Sequence, residues 1–205
     1  IKNNSVLNYG DLSILSFHAT KSFNTFEGGA IISHDIKTKR RIDFLKNFGF
    51  ANETTVVAPG INGKMNEFQA AIGLIQLKYY DQVLSRRKEI FNQYTKNLSG
   101  LKGIRLFRYE NDINTNYSYF PIFIENSFKK TRDDLYEFLK KHNIYGRRYF
   151  YPLISSYPMY RDLDSSGKDN LPVATEVSNQ VICLPIYPDL SNEDLNKVCS
   201  VIKSK

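Results

Sequence analysis

Lys21 is the residue whose surroundings most strongly suggest chemistry. It follows an apolar run at 12–17, has hydroxyls beside it at Thr20 and Ser22, and precedes the pair Gly28-Gly29. A partly desolvated lysine amine is a usable nucleophile toward an aldehyde, with which it forms a Schiff base. Because most lysines are solvated, an ordinary loop lysine is the alternative that the spacing alone leaves open.

The residues around Lys21 would also suit a phosphate group. Ser16 could offer its hydroxyl to a phosphate oxygen, and glycines at 28 and 29 allow close approach of a ligand to the backbone. Turns that end strands use the same residue types, so these residues alone do not decide between a ligand site and a turn.

A second segment, PGINGKMNEFQAAIG at 59–73, places small polar residues just before a predicted helix. Helix N-termini bind anions through their free amide groups, and Asn62 and Lys64 could extend such a site. A turn followed by a helix cap is the alternative, with Gly73 allowing close packing of the helix.

The elements that must position these residues follow an α/β order in the first half of the chain. Apolar runs predict strands at 12–17 and 29–33, followed by a helix from about Asp35. Helical spacing of apolar residues then predicts one long helix from Asn66 and a second over 83–98, which together could join two lobes.

The second half is typical of a small α+β lobe. Strands are predicted at 104–107, 117–124, 145–150 and 181–184. Thr131 with Asp134 predicts the start of one helix, and Ser191 caps a final helix.

Composition limits the classes of function. The 205 residues are 41% hydrophobic and 24% charged, as in a globular chain, and no apolar run is long enough to cross a bilayer. With no signal-peptide pattern, a cytoplasmic location and no membrane partner are expected.

Cys183 and Cys199 lack metal-ligand spacing and are interpreted as buried structural thiols, with no metal predicted. The net charge of +7 would attract phosphorylated ligands or nucleic acid.

The segments SFHATK…EGGA and GINGKMNEFQAAIGL together resemble the DegT/StrS family of pyridoxal-phosphate-dependent sugar aminotransferases. The resemblance implies an α/β chain of the aspartate-aminotransferase-like fold type I. Residues 1–85 would be the C-terminal part of the cofactor-binding large domain, and 86–205 the small α+β domain. Lys21 is then the Schiff-base lysine and catalytic acid–base, and Ser16 a cofactor phosphate ligand. Asn62 is implied to reach the phosphate of the neighbouring subunit in a homodimer with shared active sites.

The resemblance continues through GRRYFYPLISSYPMY and LPVATEVSNQVICLPIYPDLS in the second half. Within the family, the sequences of these segments are most similar to those of enzymes that aminate C4 of a nucleotide-linked 4-keto-6-deoxy sugar. This similarity implies glutamate as the amino donor and a role in surface polysaccharide synthesis. Guanidinium groups pair with phosphates and phenols donate to hydroxyls. Substrate candidates are therefore Arg147, Arg148, Tyr149 and Tyr151. Lys64 is a further candidate, at a position where the family often has an arginine. A strand edge carrying surface charge is the alternative for 147–151.

The resemblance also implies that the chain is a C-terminal fragment. The family's aspartate that pairs with the pyridinium nitrogen, its ring-stacking residue and further phosphate ligands would precede Ile1. A non-catalytic fragment that does not bind the cofactor is therefore an alternative function. A basic nucleic-acid-binding module built on 37–41 is a weaker one, because no aromatic residues interleave that run. His18 is expected to be a structural histidine.

Overall fold

The structure, a computed structural model, describes residues 4–110 and 113–204. It divides into two compact units: one extends to Val83 and includes the described part of Glu110–Asn114, and the other holds Leu84–Tyr109 and the chain from Thr115 onward. The domain division expected from the family resemblance, 1–85 and 86–205, remains a prediction.

The first unit is built on a two-stranded antiparallel sheet. Strand β1 (Leu12–Ser16) pairs with β2 (Gly29–Ser33) so that Leu12 lies opposite Ser33 and Ser16 opposite Gly29. Helix α1 (Ile36–Lys46) follows, and the Asp35 side chain caps its first turn by accepting hydrogen bonds from two backbone N–H groups. The predicted strands and the start of this helix are confirmed.

Helix α2 (Glu67–Leu98) is a single helix of 32 residues, so the prediction of two long helices is wrong. The residues between the two expected helices contain neither Gly nor Pro, and nothing in them ends a helix. Asn66 and Gln69 cap its start reciprocally: the Gln69 N–H donates to Asn66 Oδ1 at 2.8 Å, and the Asn66 N–H donates to Gln69 Oε1 at 3.3 Å.

The second unit contains a three-stranded antiparallel sheet with helices packed on it. Strand β4 (Phe120–Ile124) lies between β3 (Ile104–Leu106) and β5 (Val181–Leu184). The helices are α3 (Arg132–Lys141), α4 (Pro172–Gln180) and α5 (Asn192–Lys203). Thr131 and Ser191 cap α3 and α5 as predicted. The buried hydrophobic core includes Ile90, Tyr94, Leu98, Phe120, Ile122, Leu135, Leu139, Ile182, Leu195 and Ile202.

The predicted strand at 145–150 is wrong. Arg147 alone forms an isolated antiparallel bridge with Cys183, in which the two residues exchange backbone hydrogen bonds of 2.9 and 2.7 Å. The chain then turns, because the Tyr151 N–H donates to the Arg148 carbonyl at 2.7 Å, and a turn cannot continue a ladder. Helix α4 was not predicted from the sequence; Pro172 stands at its start, where a missing N–H costs no hydrogen bond.

Candidate active site

Lys21 lies in the loop that joins β1 to β2. The two ends of the loop are tied together, because the Phe17 N–H donates to the Gly28 carbonyl at 2.8 Å. Within it, the Thr25 N–H donates to the Phe17 carbonyl at 2.9 Å, and the Lys21 N–H donates to the His18 carbonyl at 2.9 Å. The backbone that carries Lys21 is therefore held by hydrogen bonds on both sides.

The residues just after Lys21 anchor the loop on helix α2. Ser22 is buried, and its hydroxyl lies 3.1 Å from the hydroxyl of Tyr80. The Phe23 ring meets the Tyr80 ring edge-on at a centroid distance of 5.9 Å, and meets Phe17 in the same way at 4.9 Å. Such aromatic pairs add stability beyond the area they bury. The two residues that follow Lys21 thus hold its loop against helix α2.

Thr25 gives the loop a second anchor. Its side chain is buried, and its hydroxyl donates to the Glu27 carbonyl at 2.7 Å. A Cβ atom on Gly73 would lie 3.1 Å from the Thr25 methyl group, and one on Gly28 would lie 2.5 Å from the Thr25 hydroxyl oxygen. Gly73 therefore allows the close helix packing expected from the sequence, and Gly28 leaves room for the buried threonine.

The amine of Lys21 is uncommitted. Its side chain is half-buried, and within 4–110 and 113–204 it makes no ion pair or side-chain hydrogen bond. Most lysines of folded proteins point their ammonium groups fully into solvent. An amine without a carboxylate partner, on a partly buried lysine, is a chemical group that remains available to a ligand aldehyde.

Ser16 and His18 lie at the end of β1, beside Lys21. Ser16 is exposed, and its hydroxyl accepts only one long hydrogen bond, from the His18 N–H at 3.4 Å. The His18 ring is engaged at both nitrogens: Nδ1 lies 2.9 Å from the Thr20 hydroxyl, and Nε2 lies 3.6 Å from a Glu27 carboxylate oxygen. These contacts agree with a structural histidine and leave the Ser16 hydroxyl free to donate.

Asn62 and Lys64 lie together near the start of α2, but they differ in their contacts. The backbone of Asn62 forms an isolated bridge with Asn47, and its side chain is exposed. The ammonium group of Lys64 donates to Asn47 Oδ1 at 3.0 Å and lies 4.4 Å from the centre of the Phe48 ring. Lys64 thus has partners within the protein. Because Asn66 satisfies an amide of the first turn, the helix start is also less open to an anion than the sequence suggests.

The other substrate candidates belong to the second unit. Arg147 is exposed, whereas the guanidinium of Arg148 donates to Asp133 Oδ1 at 2.8 Å. The Tyr149 ring meets Tyr119 edge-on at 5.4 Å, and Tyr151 is 42% exposed. Sequence reasoning missed Asp133, because an acidic residue in the first turn of a helix is already explained by the helix dipole.

The described parts of the chain lack two further features. No group of three or more His, Cys, Asp or Glu side chains there is placed to hold a metal ion. None of the helices in that part combines the length and the apolar character needed to span a membrane.

The sequence profile of the DegT/DnrJ/EryC1/StrS aminotransferase family matches residues 1–203. This chain belongs to that family. Its aminotransferases depend on pyridoxal phosphate. One relative is the dTDP-4-amino-4,6-dideoxy-D-glucose transaminase of Escherichia coli, which is 55% identical over 185 residues, covering 90% of this chain and 50% of the relative. The chain spans about half the length of the curated relatives it matches.

Solved structures of the family share the fold. DesI, determined in the presence of its TDP-sugar product, superposes with a TM-score of 0.85 at 31% identity, covering 94% of this chain and 49% of DesI. Spr1654 of Streptococcus pneumoniae in its PLP form gives a TM-score of 0.89 at 24% identity, covering 98% and 53% of the two chains. The expected fold type I is therefore confirmed, as a mixed α/β chain that matches about half of each family structure.

Proposed function

We propose that this chain carries the lysine-bearing part of a transaminase that uses pyridoxal phosphate and acts on a nucleotide-linked 4-keto-6-deoxy sugar. The observation that supports this most is the uncommitted amine of Lys21 on a loop anchored to α2. The donor set fits the cofactor: an amine for the aldehyde, and the hydroxyl of Ser16 for the phosphate.

Each residue has a distinct part in this proposal. Bound pyridoxal phosphate supplies the electron sink for transamination. Lys21 would hold the cofactor through Nζ, and its free amine would carry the proton at the carbon that bears the amino group. Ser16 donates to the phosphate, and Asn62 donates to the phosphate of a neighbouring copy in a homodimer with shared sites.

The substrate half of the proposal rests on the relatives. The E. coli relative is named for a dTDP-linked dideoxy sugar, and DesI was solved with a TDP-sugar. We therefore assign a nucleotide sugar as acceptor. Glutamate as donor, a cytoplasmic location and a role in surface polysaccharide synthesis complete the proposal and rest on the family resemblance alone. Arg147, Arg148, Tyr149, Tyr151 and Lys64 are the proposed substrate-side residues.

The test is covalent capture of the cofactor. The chain is incubated with pyridoxal phosphate, reduced with borohydride, and its intact mass and peptide map are measured for wild type, Lys21→Ala and Lys64→Ala. We expect one reduced adduct on residue 21 in wild type and in Lys64→Ala, and none in Lys21→Ala. No adduct, or adducts scattered over many lysines in all three proteins, would favour a non-catalytic fragment instead.

A second assay tests the reaction. Wild type and Lys21→Ala are supplied with pyridoxal phosphate, glutamate and a dTDP-4-keto-6-deoxy sugar, and the amino sugar is measured by mass spectrometry. Formation of the product by wild type alone would support the proposal. Salt-sensitive binding to mixed oligonucleotides, with no product, would favour the basic-module alternative.

A further inference from the structure

The carboxylate of Asp133 bridges two arginines that come from different parts of the chain. Asp133 is the second residue of α3, and its Oδ1 lies 2.7 Å from Nε of Arg132 and 2.8 Å from Nη1 of Arg148. One carboxylate oxygen therefore ties the start of α3 to the turn at 147–151. The Arg148 contact is a charge-assisted hydrogen bond, which is among the stronger polar interactions in proteins. The Arg132 contact is an ion pair without hydrogen-bond geometry.

Arg132 extends this contact into the interior of the second unit. Its side chain is 4% exposed, and Nη1 donates to the Ser178 carbonyl of α4 at 2.8 Å. Its guanidinium carbon also lies 4.2 Å from the centre of the Tyr151 ring. A buried guanidinium needs such partners, because leaving it unpaired is strongly destabilising. Arg132 thus holds the end of the turn through its contact with the Tyr151 ring.

Arg148 is committed to the same cluster. Its guanidinium carbon lies 4.4 Å from the centre of the Tyr136 ring and 5.3 Å from that of Tyr151, besides its ion pair with Asp133. Cation–π contacts to two rings and a carboxylate contact occupy this group within the protein. Arg148 is therefore poorly placed to serve a substrate phosphate.

Arg147 is the opposite case. Its backbone is fixed on β5 by the pair of hydrogen bonds with Cys183, while its side chain is exposed. Its guanidinium has no hydrogen bond, ion pair or aromatic contact within the described chain. It is thus an exposed cation on a fixed backbone, and its planar donors match a phosphate group.

We propose that Asp133 is a positioning residue for the nucleotide-sugar site. It holds Arg148 and Arg132 so that the turn at 147–151 presents Arg147 to the diphosphate of the ligand. The ligand class in this inference rests on the proposed function. Of the two adjacent arginines, Arg147 binds the diphosphate and Arg148 holds the turn in place.

The test is binding of dTDP to the full chain by titration calorimetry, with near-ultraviolet circular dichroism of the tyrosines as the structural readout. The variants are Arg147→Gln, Arg148→Gln, Arg148→Lys, Asp133→Asn and the double variant Asp133→Asn/Arg147→Gln. Glu137→Gln is the matched control, since it removes one charge from the same helix at a residue paired only with Lys140 in the described chain. We expect Arg147→Gln to weaken binding at least about tenfold with an unchanged tyrosine spectrum.

The positioning role predicts a particular interaction between variants. Asp133→Asn alone should alter the tyrosine spectrum and weaken dTDP binding. Because Asp133 acts through Arg147, the double variant should bind dTDP no more weakly than Arg147→Gln alone. Arg148→Lys should retain more of the spectrum and of the affinity than Arg148→Gln. These results would support the inference even if one single variant were poorly folded.

Other outcomes would overturn it. Arg148→Gln that loses affinity with an unchanged spectrum would make Arg148 the ligand contact, and Asp133→Asn that matches Glu137→Gln in both readouts would remove the positioning role. A wild-type chain that captures pyridoxal phosphate at Lys21 but binds no dTDP would overturn this inference alone. A chain that binds dTDP through Arg147 but captures no cofactor would overturn the transaminase proposal alone.

Discussion

At the scale of single residues, burial decides the chemistry of both cysteines. Cys183 lies in β5 and Cys199 in α5, and both are buried and unpaired. Burial raises the pKa of Cys183 to about 11, and it also raises the pKa of Cys199. Because the thiolate is the reactive form, these thiols should behave as packing residues, as their positions in the sequence suggested.

The first prediction concerns their reactivity. At pH 8 in the folded chain, we expect Cys183 to react with Ellman's reagent about 100-fold more slowly than an unshifted thiol, since its thiolate fraction is lower by that factor. Cys183→Ser and Cys199→Ser separate the two rates, and both thiols should react at once in guanidinium chloride. Rapid labelling of Cys183 in the folded Cys199→Ser protein would contradict the prediction.

The second prediction concerns the anchor of the lysine loop. Tyr80→Phe keeps the ring against Phe23 but removes the hydroxyl beside the buried Ser22 oxygen. We expect the free energy of unfolding to fall by about 1 kcal/mol, measured by urea denaturation, and cofactor capture at Lys21 to slow. Tyr79→Phe is the matched control, because Tyr79 is exposed on the same helix. Equal effects of the two substitutions would argue against the anchor.

The sequence identified Lys21 but not what holds it. The lysine motif is local, so its residue types and spacing can be recognised in a single stretch of chain. Tyr80 is 58 positions from Ser22, and nothing in a local pattern indicates which helical tyrosine will meet a buried serine. Asp133 already had a local explanation in the first turn of α3, and no local pattern indicates that Arg148, 15 residues away, is its partner.

At the scale of elements, local patterns predicted most helix starts and several strands correctly. Thr131 and Ser191 cap the helices they were expected to cap, and Asp35, expected as the acidic start of a helix, caps α1. The errors arose where the deciding contact is distant or absent: α2 continues because nothing stops it, and 145–150 fails as a strand because its pairing ends after one bridge to Cys183. Periodicity reports what a segment could form, whereas pairing decides what it does form.

The third prediction uses the cap of α1. Hydrogen bonding from Thr38, by its side chain and its backbone N–H, holds the pKa of Asp35 below its ordinary value of 3.8. A carboxylate with a lowered folded pKa stabilises the fold fully above its unfolded pKa, and this contribution disappears as the pH falls through the folded pKa. The Asp35 charge should therefore stabilise the chain at neutral pH. This contribution should begin to decrease as the pH falls below 3.8 and disappear as it falls through the lower pKa of the folded chain.

Thermal unfolding of wild type, Asp35→Asn and Asp35→Ala measures this pH dependence. A range from about pH 2.5 to about 7 includes the carboxyl pKa and extends to neutral pH. The wild-type midpoint should exceed that of Asp35→Asn at neutral pH, and the difference should shrink below the carboxyl pKa. Asp35→Ala should be less stable than Asp35→Asn throughout, because it also loses the cap. A constant difference between wild type and Asp35→Asn across the range would contradict a role for the charge.

At the scale of the whole molecule, the two units differ in what they bury. All the buried hydrophobic side chains of the described residues belong to the second unit, whereas the buried side chains of the first are Ser22 and Thr25. The sheet of the first unit exposes Leu12, Ile14 and Ile31 on one face, and Ile14 lies opposite Ile31 in the ladder. Composition alone could not predict this, because it does not show which apolar residues find partners.

The fourth prediction follows from exposed apolar side chains of the first unit, on the sheet and on α2. Ile14 is 80% exposed and Leu74 of α2 is 70% exposed, and apolar surface of this kind beside an open strand edge favours association between copies. We expect the apparent mass to rise with concentration in sedimentation and light scattering, and Ile14→Lys or Leu74→Lys to reduce that rise. Val173→Lys is the control, since Val173 is 72% exposed in the second unit and should leave association unchanged. A monodisperse wild-type monomer, or an equal effect of all three substitutions, would show that the first unit's apolar residues do not drive assembly.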